Sequence, residues 1–268
     1  MFRIWTKAED VQSAATIWLM AISERADAST SDIQAVARVA QICVLFGSDE
    51  LTAADVAEKT GLNRTTAYRY CASMVAAGIL ERGSRRGTFA LGSLMLQVGI
   101  HALTRRRVVE VAPEFLRTLR TTVRMTSVLS VWGAGHPVVA LVEEDTSRTV
   151  LVTVRLGAEL DAAAAQTHVF LAYADDAAFD AFAEGLTDAE RRDLRAAVDA
   201  VREQGYAVVT YPGGFGNAAA PVFDDRGICA TVAVLGASQD ADLSPGSPAL
   251  TELQSTAAAI SKRLGGAS

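Results

Sequence analysis

A turn glycine between two short helical segments, followed by a basic hairpin, constrains this chain more than any other feature. In LTAADVAEKTGLNRTTAYRY (residues 51–70), Thr52 reads as the cap of a short helix carrying Val56 and Ala57. Gly61 breaks it and permits a sharp turn, and Asn63 caps a longer helix running to about Gly78. Ala57 is small where two helices must cross, and Leu62 plugs the core beneath the turn. The longer helix presents Arg64, Thr65, Thr66, Tyr68 and Arg69, a mixture of hydrogen-bonders and cations suited to base edges and phosphates in a DNA major groove. After Gly78 the period changes. ILER (79–82), GSRRG (83–87) and TFAL (88–91) read as two short strands joined by a basic turn, a wing that brings Arg85 and Arg86 to a neighbouring backbone or minor groove.

Each piece alone describes a solvated helix face or an ordinary hairpin; the ordered set is what points to DNA. The candidate contacts are Thr52, Asn63, Arg64, Thr65, Thr66, Tyr68, Arg69, Arg85 and Arg86, whereas Tyr70 and Met74 read as core. Net charge is -6, which opposes a phosphate-binding role until its distribution is considered. Between Thr60 and Glu110, Arg64, Arg69, Arg82, Arg85, Arg86, Arg105, Arg106 and Arg107 face only the acids Glu81 and Glu110.

Upstream, Val11, Ala14, Ala15, Trp18, Leu19 and Ile22 fall at helical spacing over residues 9–26, and ADASTSD (26–32) reads as a hinge or cap. A second helix carries Val36, Val39, Ala40, Cys43 and Val44 and stops at Gly47. The extension bearing Trp5, Trp18 and Leu19 is expected either to pack on its own domain or to cover that of a dimer partner. Beyond the wing, Leu94, Leu96, Val98 and Leu103 mark a connecting helix from Ser93 to about Arg107.

The second half mixes strands and helices. Residues 126–132 and 138–143 read as a hairpin, and 149–154 as a third strand. Helical patterns continue to about 203, with a capping box over Thr187 and Glu190. GGFGN (213–217) reads as a flexible lid or turn, strands follow at 218–223 and 229–235, and a last helix covers about 247–264. The order predicts an α+β domain, an antiparallel sheet with its helices collected on one side.

A length of 268 residues fits one small and one medium domain. Half the residues are hydrophobic, but in short runs, with no stretch of about 18 apolar residues that would span a bilayer. The N-terminus lacks a long apolar core of a secretory signal, so no membrane partner and a cytoplasmic location are expected. Cys43, Cys71 and Cys229 lack metal-ligand spacing and read as reduced thiols, and His101 and His136 have no second ligand nearby. No Ser-His-Asp order, carboxylate pair, Walker loop or dinucleotide fingerprint presents itself, so neither catalytic residues, metal nor cofactor is expected.

From Asp32 onward the sequence resembles the IclR family of bacterial regulators. GLNRTTAYRY (61–70) is similar to that family's recognition segment, AAGILER (76–82) with FALG (89–92) to its wing, and VREQGYA (201–207) and AAPVFDDRG (219–227) to its effector-domain signatures. The resemblance implies an extension at 1–31, a winged helix-turn-helix domain at 32–92, a linker helix at 93–108, and a GAF/PAS-like effector-binding and oligomerisation domain at 109–268. It also implies dimers, or dimers of dimers, on palindromic operator DNA, controlling catabolic operons, commonly as repressors, under a small organic effector. Leu129, Trp132, Gln166, Thr167, His168, Asn217, Ala233 and Leu235 are the expected effector-binding residues. Here DAAAAQTHVF (161–170) carries His168 and Val169 where the family has glycine and lysine, and Ala233 and Leu235 stand where serines are often found. Those departures predict a less polar pocket, for an aromatic or otherwise apolar molecule. His168 remains open between pocket and plain helix face, and Trp132 between core and ligand platform. Two other functions stay in view: a DNA-binding protein whose C-terminal domain only dimerises, and an enzyme with an accessory basic module.

Overall fold

The structure is a computed structural model that describes residues 34–47, 49–133, 135–148, 150–239 and 241–266. The helix expected over residues 9–26 and the role expected for the extension lie outside the described residues. The chain divides into two compact units meeting between Arg105 and Arg106.

The N-terminal unit contains α1 (Gln34–Leu45), β1 (Leu51–Thr52), α2 (Ala53–Thr60), α3 (Arg64–Ala76), β2 (Leu80–Arg82), β3 (Thr88–Leu91) and α4 (Ser93–Thr104). Its core joins Ile42 and Phe46, Val56 and Ala57, Ala67, Cys71 and Met74, and Leu80 and Phe89. Ala67, Cys71 and Met74 recur at helical spacing, which turns the other side of α3 outward. The strands form an antiparallel sheet in the order β1-β3-β2. On α1 the five apolar residues named from the sequence divide between two faces, Val39 and Cys43 packing at the edge of the core and Val36, Ala40 and Val44 lying exposed. Ile42 and Phe46 face the core, while Val36 and Val44 are exposed, because residues four apart share a face and Val36, Ala40 and Val44 form a second apolar row.

The C-terminal unit contains α5 (Arg107–Val123), β4 (Thr126–Gly133), β5 (His136–Glu143), α6 (Ala165–Ala172), α7 (Asp176–Phe182), α8 (Asp188–Gln204), β6 (Ala207–Tyr211), β7 (Phe215–Asp224), β8 (Gly227–Ala237) and α9 (Pro248–Leu264). The strands make one antiparallel sheet, ordered β5-β4-β8-β7-β6. Helices cover both faces, not one. Leu116 and Leu119 of α5 and Leu253 and Ile260 of α9 pack with Leu129, Ala218, Val232 and Val234. On the opposite face Val169 and Leu171 of α6, Phe179 of α7 and Val198 of α8 pack with Val128, Ala219, Ala233 and Leu235. Central strands buried on both sides lose the apolar-polar alternation, which is why β7 and β8 are nearly continuous apolar runs.

Two further expectations are corrected. Residues 151–154 form no ladder; instead the chain just beyond covers the edge of β5, with Val139 N–H donating to Ala158 O at 3.0 Å and Leu160 N–H to Pro137 O at 2.9 Å. Such cover satisfies edge groups that would otherwise be open to another strand. Of residues 213–217, Gly213 and Gly214 lie in a turn as expected, whereas Phe215, Gly216 and Asn217 are strand residues of β7, paired with Tyr211, Thr210 and Val209 of β6. The capping box is present, with Thr187 and Glu190 bonded reciprocally at the start of α8.

Candidate functional sites

In the N-terminal unit, α2, the turn and α3 form the helix-turn-helix. Gly61 holds φ at +69°, a conformation that costs a side-chain-bearing residue but not glycine. Asn63 Oδ1 accepts the Thr66 N–H at 2.8 Å, which fixes the start of α3. Arg64, Thr65, Tyr68 and Arg69 are exposed on this helix, with Thr66 half-buried. Thr52 and Asn63 serve first as caps. The Thr52 hydroxyl donates to Asp55 Oδ2 at 2.8 Å and accepts the Asp55 N–H at 3.2 Å, so its one proton is committed within the capping box.

The wing turn is built around an acid that sequence reasoning did not single out. Glu50 accepts from Ser84 N–H at 2.6 Å, Arg85 N–H at 3.2 Å and the Thr88 hydroxyl at 2.7 Å. A Cβ on Gly83 would stand 2.6 Å from Glu50 Oε2, so glycine is what lets the carboxylate approach. The Thr88 hydroxyl, then the Ser84 amide, hold the Glu50 carboxyl down to about 2. Arg85 leans back towards this acid, Nε to Oε2 at 3.6 Å, while Arg86 is exposed at the turn. Nothing periodic ties a residue before β1 to a turn 34 residues later; only the β1–β3 pairing, Thr52 against Thr88, brings them together.

In the C-terminal unit α6 is buried over its whole length against the sheet. Asn217 Nδ2 donates to Gln166 Oε1 at 2.7 Å, linking β7 to this helix. Trp132 lies 5.5 Å from Phe170 and 6.2 Å from Phe182, centroid to centroid, and Ala233 and Leu235 line the same sheet face. Leu129 is the exception. Strand alternation sends it to the other face, into the α5–α9 core, so it cannot share a pocket with Trp132. His168 Nε2 lies 2.8 Å from Ala162 O. A carbonyl only accepts, so Nε2 carries the proton and Nδ1 is left with a lone pair. Burial pushes the His168 pKa down, against opposing pulls from that hydrogen bond and from Asp161, so the ring is held neutral.

Five buried side chains on this face keep a polar atom without a hydrogen-bond partner: Ser130 Oγ, Gln166 Nε2, Thr167 Oγ1, Asn217 Oδ1 and Thr231 Oγ1. All five residues are completely buried. Such an atom costs about 1–3 kcal/mol when nothing satisfies it, so five on one face is an unusual concentration. Ser130 and Thr231, cross-strand partners, were not singled out in the sequence; they stand two residues before Trp132 and Ala233 and so share their face.

Cysteine chemistry is suppressed, with burial, then the nearby Asp224, pushing the Cys229 thiol up to about 12. Among the described residues no three His, Cys, Asp or Glu side chains are grouped to hold a metal, and no helix is long and apolar enough to cross a membrane.

Residues 35–84 match the IclR helix-turn-helix domain, and residues 100–262 match the C-terminal domain of bacterial IclR transcriptional regulators. The chain belongs to the IclR family. IclR proteins are transcriptional regulators, not enzymes. A putative IclR regulator from Silicibacter sp. TM1040 is similar in structure, with a TM-score of 0.73, 20% identity, and coverage of 87% of this chain and 97% of that one. A putative transcriptional regulator from Rhodococcus sp. RHA1 shares 27% identity at a TM-score of 0.67, over 87% of this chain and 98% of its own. An IclR homologue from Microbacterium hydrocarbonoxydans, solved in complex with 4-hydroxybenzoate, superposes with a TM-score of 0.71 at 21% identity, over 86% of this chain and 98% of that one. No curated protein sequence matches. In this IclR chain the family's two domains thus coincide with a helix-turn-helix whose second helix is exposed and a sheet face carrying unpartnered polar groups.

Proposed function

We propose that the protein is an effector-controlled repressor of a catabolic operon, working in the cytoplasm as a homodimer or dimer of dimers. The winged helix reads operator DNA through Arg64, Thr65, Thr66, Tyr68 and Arg69 on α3, with Arg86 at the wing tip. Thr52 and Asn63 act by capping the two helices, and Arg85 acts from its place beside Glu50. The observation that carries effector control is the set of five unpartnered polar atoms beneath α6, on a side of the sheet packed mainly by apolar side chains. A unit that served only to dimerise has no use for their desolvation. The complex of an IclR homologue with 4-hydroxybenzoate supports a small organic effector of aromatic type.

Oligomerisation is supported by α4, which has no buried residue and exposes Leu94, Leu96, Val98, Ile100 and Leu103. A helix this apolar is stabilised by covering that surface. An effector can shift DNA affinity only by its difference in affinity for the bound and released arrangements.

The test is to form the complex with the chain's own upstream DNA and titrate it with aromatic metabolites. Release of DNA by one of them, together with a raised melting temperature, supports the effector-controlled repressor. Operator binding that no metabolite alters in either direction supports a DNA-binding protein whose second domain only dimerises.

A further inference from the structure

The chemistry of the five unpartnered groups says what kind of molecule would satisfy them; the inference rests on the effector reading above. At one end, Asn217 and Gln166 form a single amide–amide hydrogen bond. Exchanging the oxygen and nitrogen ends of both amides leaves the same result, one donor and one acceptor open. At the other end, Ser130 and Thr231 oppose each other on β4 and β8, each offering a hydroxyl that can donate or accept. Asn217 is paired with Leu235, four residues along β8 from Thr231, so the two ends lie about 13 Å apart. The floor between them is Val128, Ala219 and Ala233, all completely buried and two of them small. Thr167 follows Gln166 on α6, whose Phe170 meets Trp132 beyond the Ser130 end.

None of these groups carries a formal charge. The ionisable side chains near them include His168, which burial holds neutral, Asp161, Arg106, which donates to Trp132 O at 2.8 Å, and Tyr211, whose hydroxyl donates to Ala163 O at 3.1 Å and is also hydrogen-bonded to the Asn217 side chain. The Asp161 Oδ1 accepts the Ala163 N–H at 3.0 Å, so a carboxylate of the protein itself sits just ahead of α6, where a helix start favours negative charge. A second carboxylate brought in by a ligand would lie near Asp161 and would be desolvated among hydroxyls and amides, a cost that an uncharged group escapes.

We propose that the site beneath α6 takes an uncharged ligand with a hydrogen-bonding group at each end of an apolar body: one end on Asn217 and Gln166, with Thr167 next to Gln166 on the same helix, the other on Ser130 and Thr231.

The experiment uses the full chain and two matched pairs, 4-hydroxybenzamide against 4-hydroxybenzoate and 6-hydroxy-2-naphthamide against 6-hydroxy-2-naphthoate, followed by calorimetry at neutral pH. The expected result is that the amide of at least one pair binds at least about tenfold more tightly than its acid. Thr167→Val and Thr231→Val weaken that binding, and neither variant melts below wild type, because removing an unpartnered hydroxyl leaves no group stranded. An acid that binds as well as its amide overturns the uncharged ligand but leaves the effector site standing. No binding of any of the four up to millimolar concentration overturns the proposal, and the metabolite titration of the DNA complex then decides the effector reading separately. Lower melting temperatures in both valine variants without ligand binding also overturn it, since they would show the hydroxyls held by structural water.

Discussion

The Glu50 carboxylate accepts the Ser84 amide N–H at 2.6 Å, so the tip of the wing is tied to the residue just before the first strand. Replacing Glu50 with alanine removes the acceptor for Ser84, Arg85 and Thr88 together. The expected outcome is a looser wing, seen as faster amide exchange at Ser84 and Arg85, and weaker DNA binding although an acidic residue has been deleted. A gain in DNA affinity on removing this negative charge would show that the acid merely repels phosphate.

The same carboxylate predicts a pH effect. Its folded pKa is depressed to about 2, below the ordinary value of 4.5, so the contribution is fully present above about pH 4.5 and fades as pH falls towards 2. Glu50→Gln therefore narrows its stability difference from wild type across that acid range, as denaturant melts at successive pH values would record.

His168 gives the opposite kind of dependence. Its folded pKa lies below 6.5, so as pH falls through about 6.5 the unfolded chain takes up the proton first and stability declines. His168→Gln, whose amide can still donate to Ala162 O, should lose less stability than wild type between pH 8 and 5 in urea melts. Equal losses would mean that the imidazole is charged in the folded protein.

Gly61→Ala places a Cβ at φ +69° between the two helices. Space is open around it, so the cost is conformational alone, about 1 kcal/mol. Thermal unfolding measures it, and a neutral effect would mean that the turn relaxes.

Leu96→Glu with Ile100→Glu charges two exposed positions four apart on one face of α4. Light scattering should report a smaller assembly for the double variant and unchanged helical content by circular dichroism. An unchanged mass would place the contacts between copies elsewhere.

The helices of the DNA-binding unit were legible because each is bracketed by local chemistry: Thr52 with Asp55, Gly61, and Asn63 all act within four residues of the backbone they fix. The capping box at Thr187 and the hairpin ahead of Pro137 were readable for the same reason. What escaped depends on partners far along the chain. Helix α5, with Val108, Ala112, Leu116 and Leu119 buried, is rich in arginine and threonine, and its role appears only once a second sheet face needs covering. The apolar continuity of β7 and β8 carried that information, yet continuous runs fit several environments. At the candidate site, seven of the eight expected effector residues gather around α6, whereas Leu129 was misplaced by parity, the same rule that would have pointed to Ser130.

The proposed function requires sequence-specific DNA binding through α3. Its most direct test is a titration of the chain against its own upstream intergenic DNA at two salt concentrations, beside the Arg64→Ala/Arg69→Ala double variant. The expected result is tight binding that weakens steeply with salt, and a variant that binds more weakly with a log–log salt slope reduced by up to about 2, roughly one for each phosphate that an arginine no longer neutralises. Indistinguishable affinities and slopes for the two proteins, with no common site recovered from random-sequence selection, would contradict it.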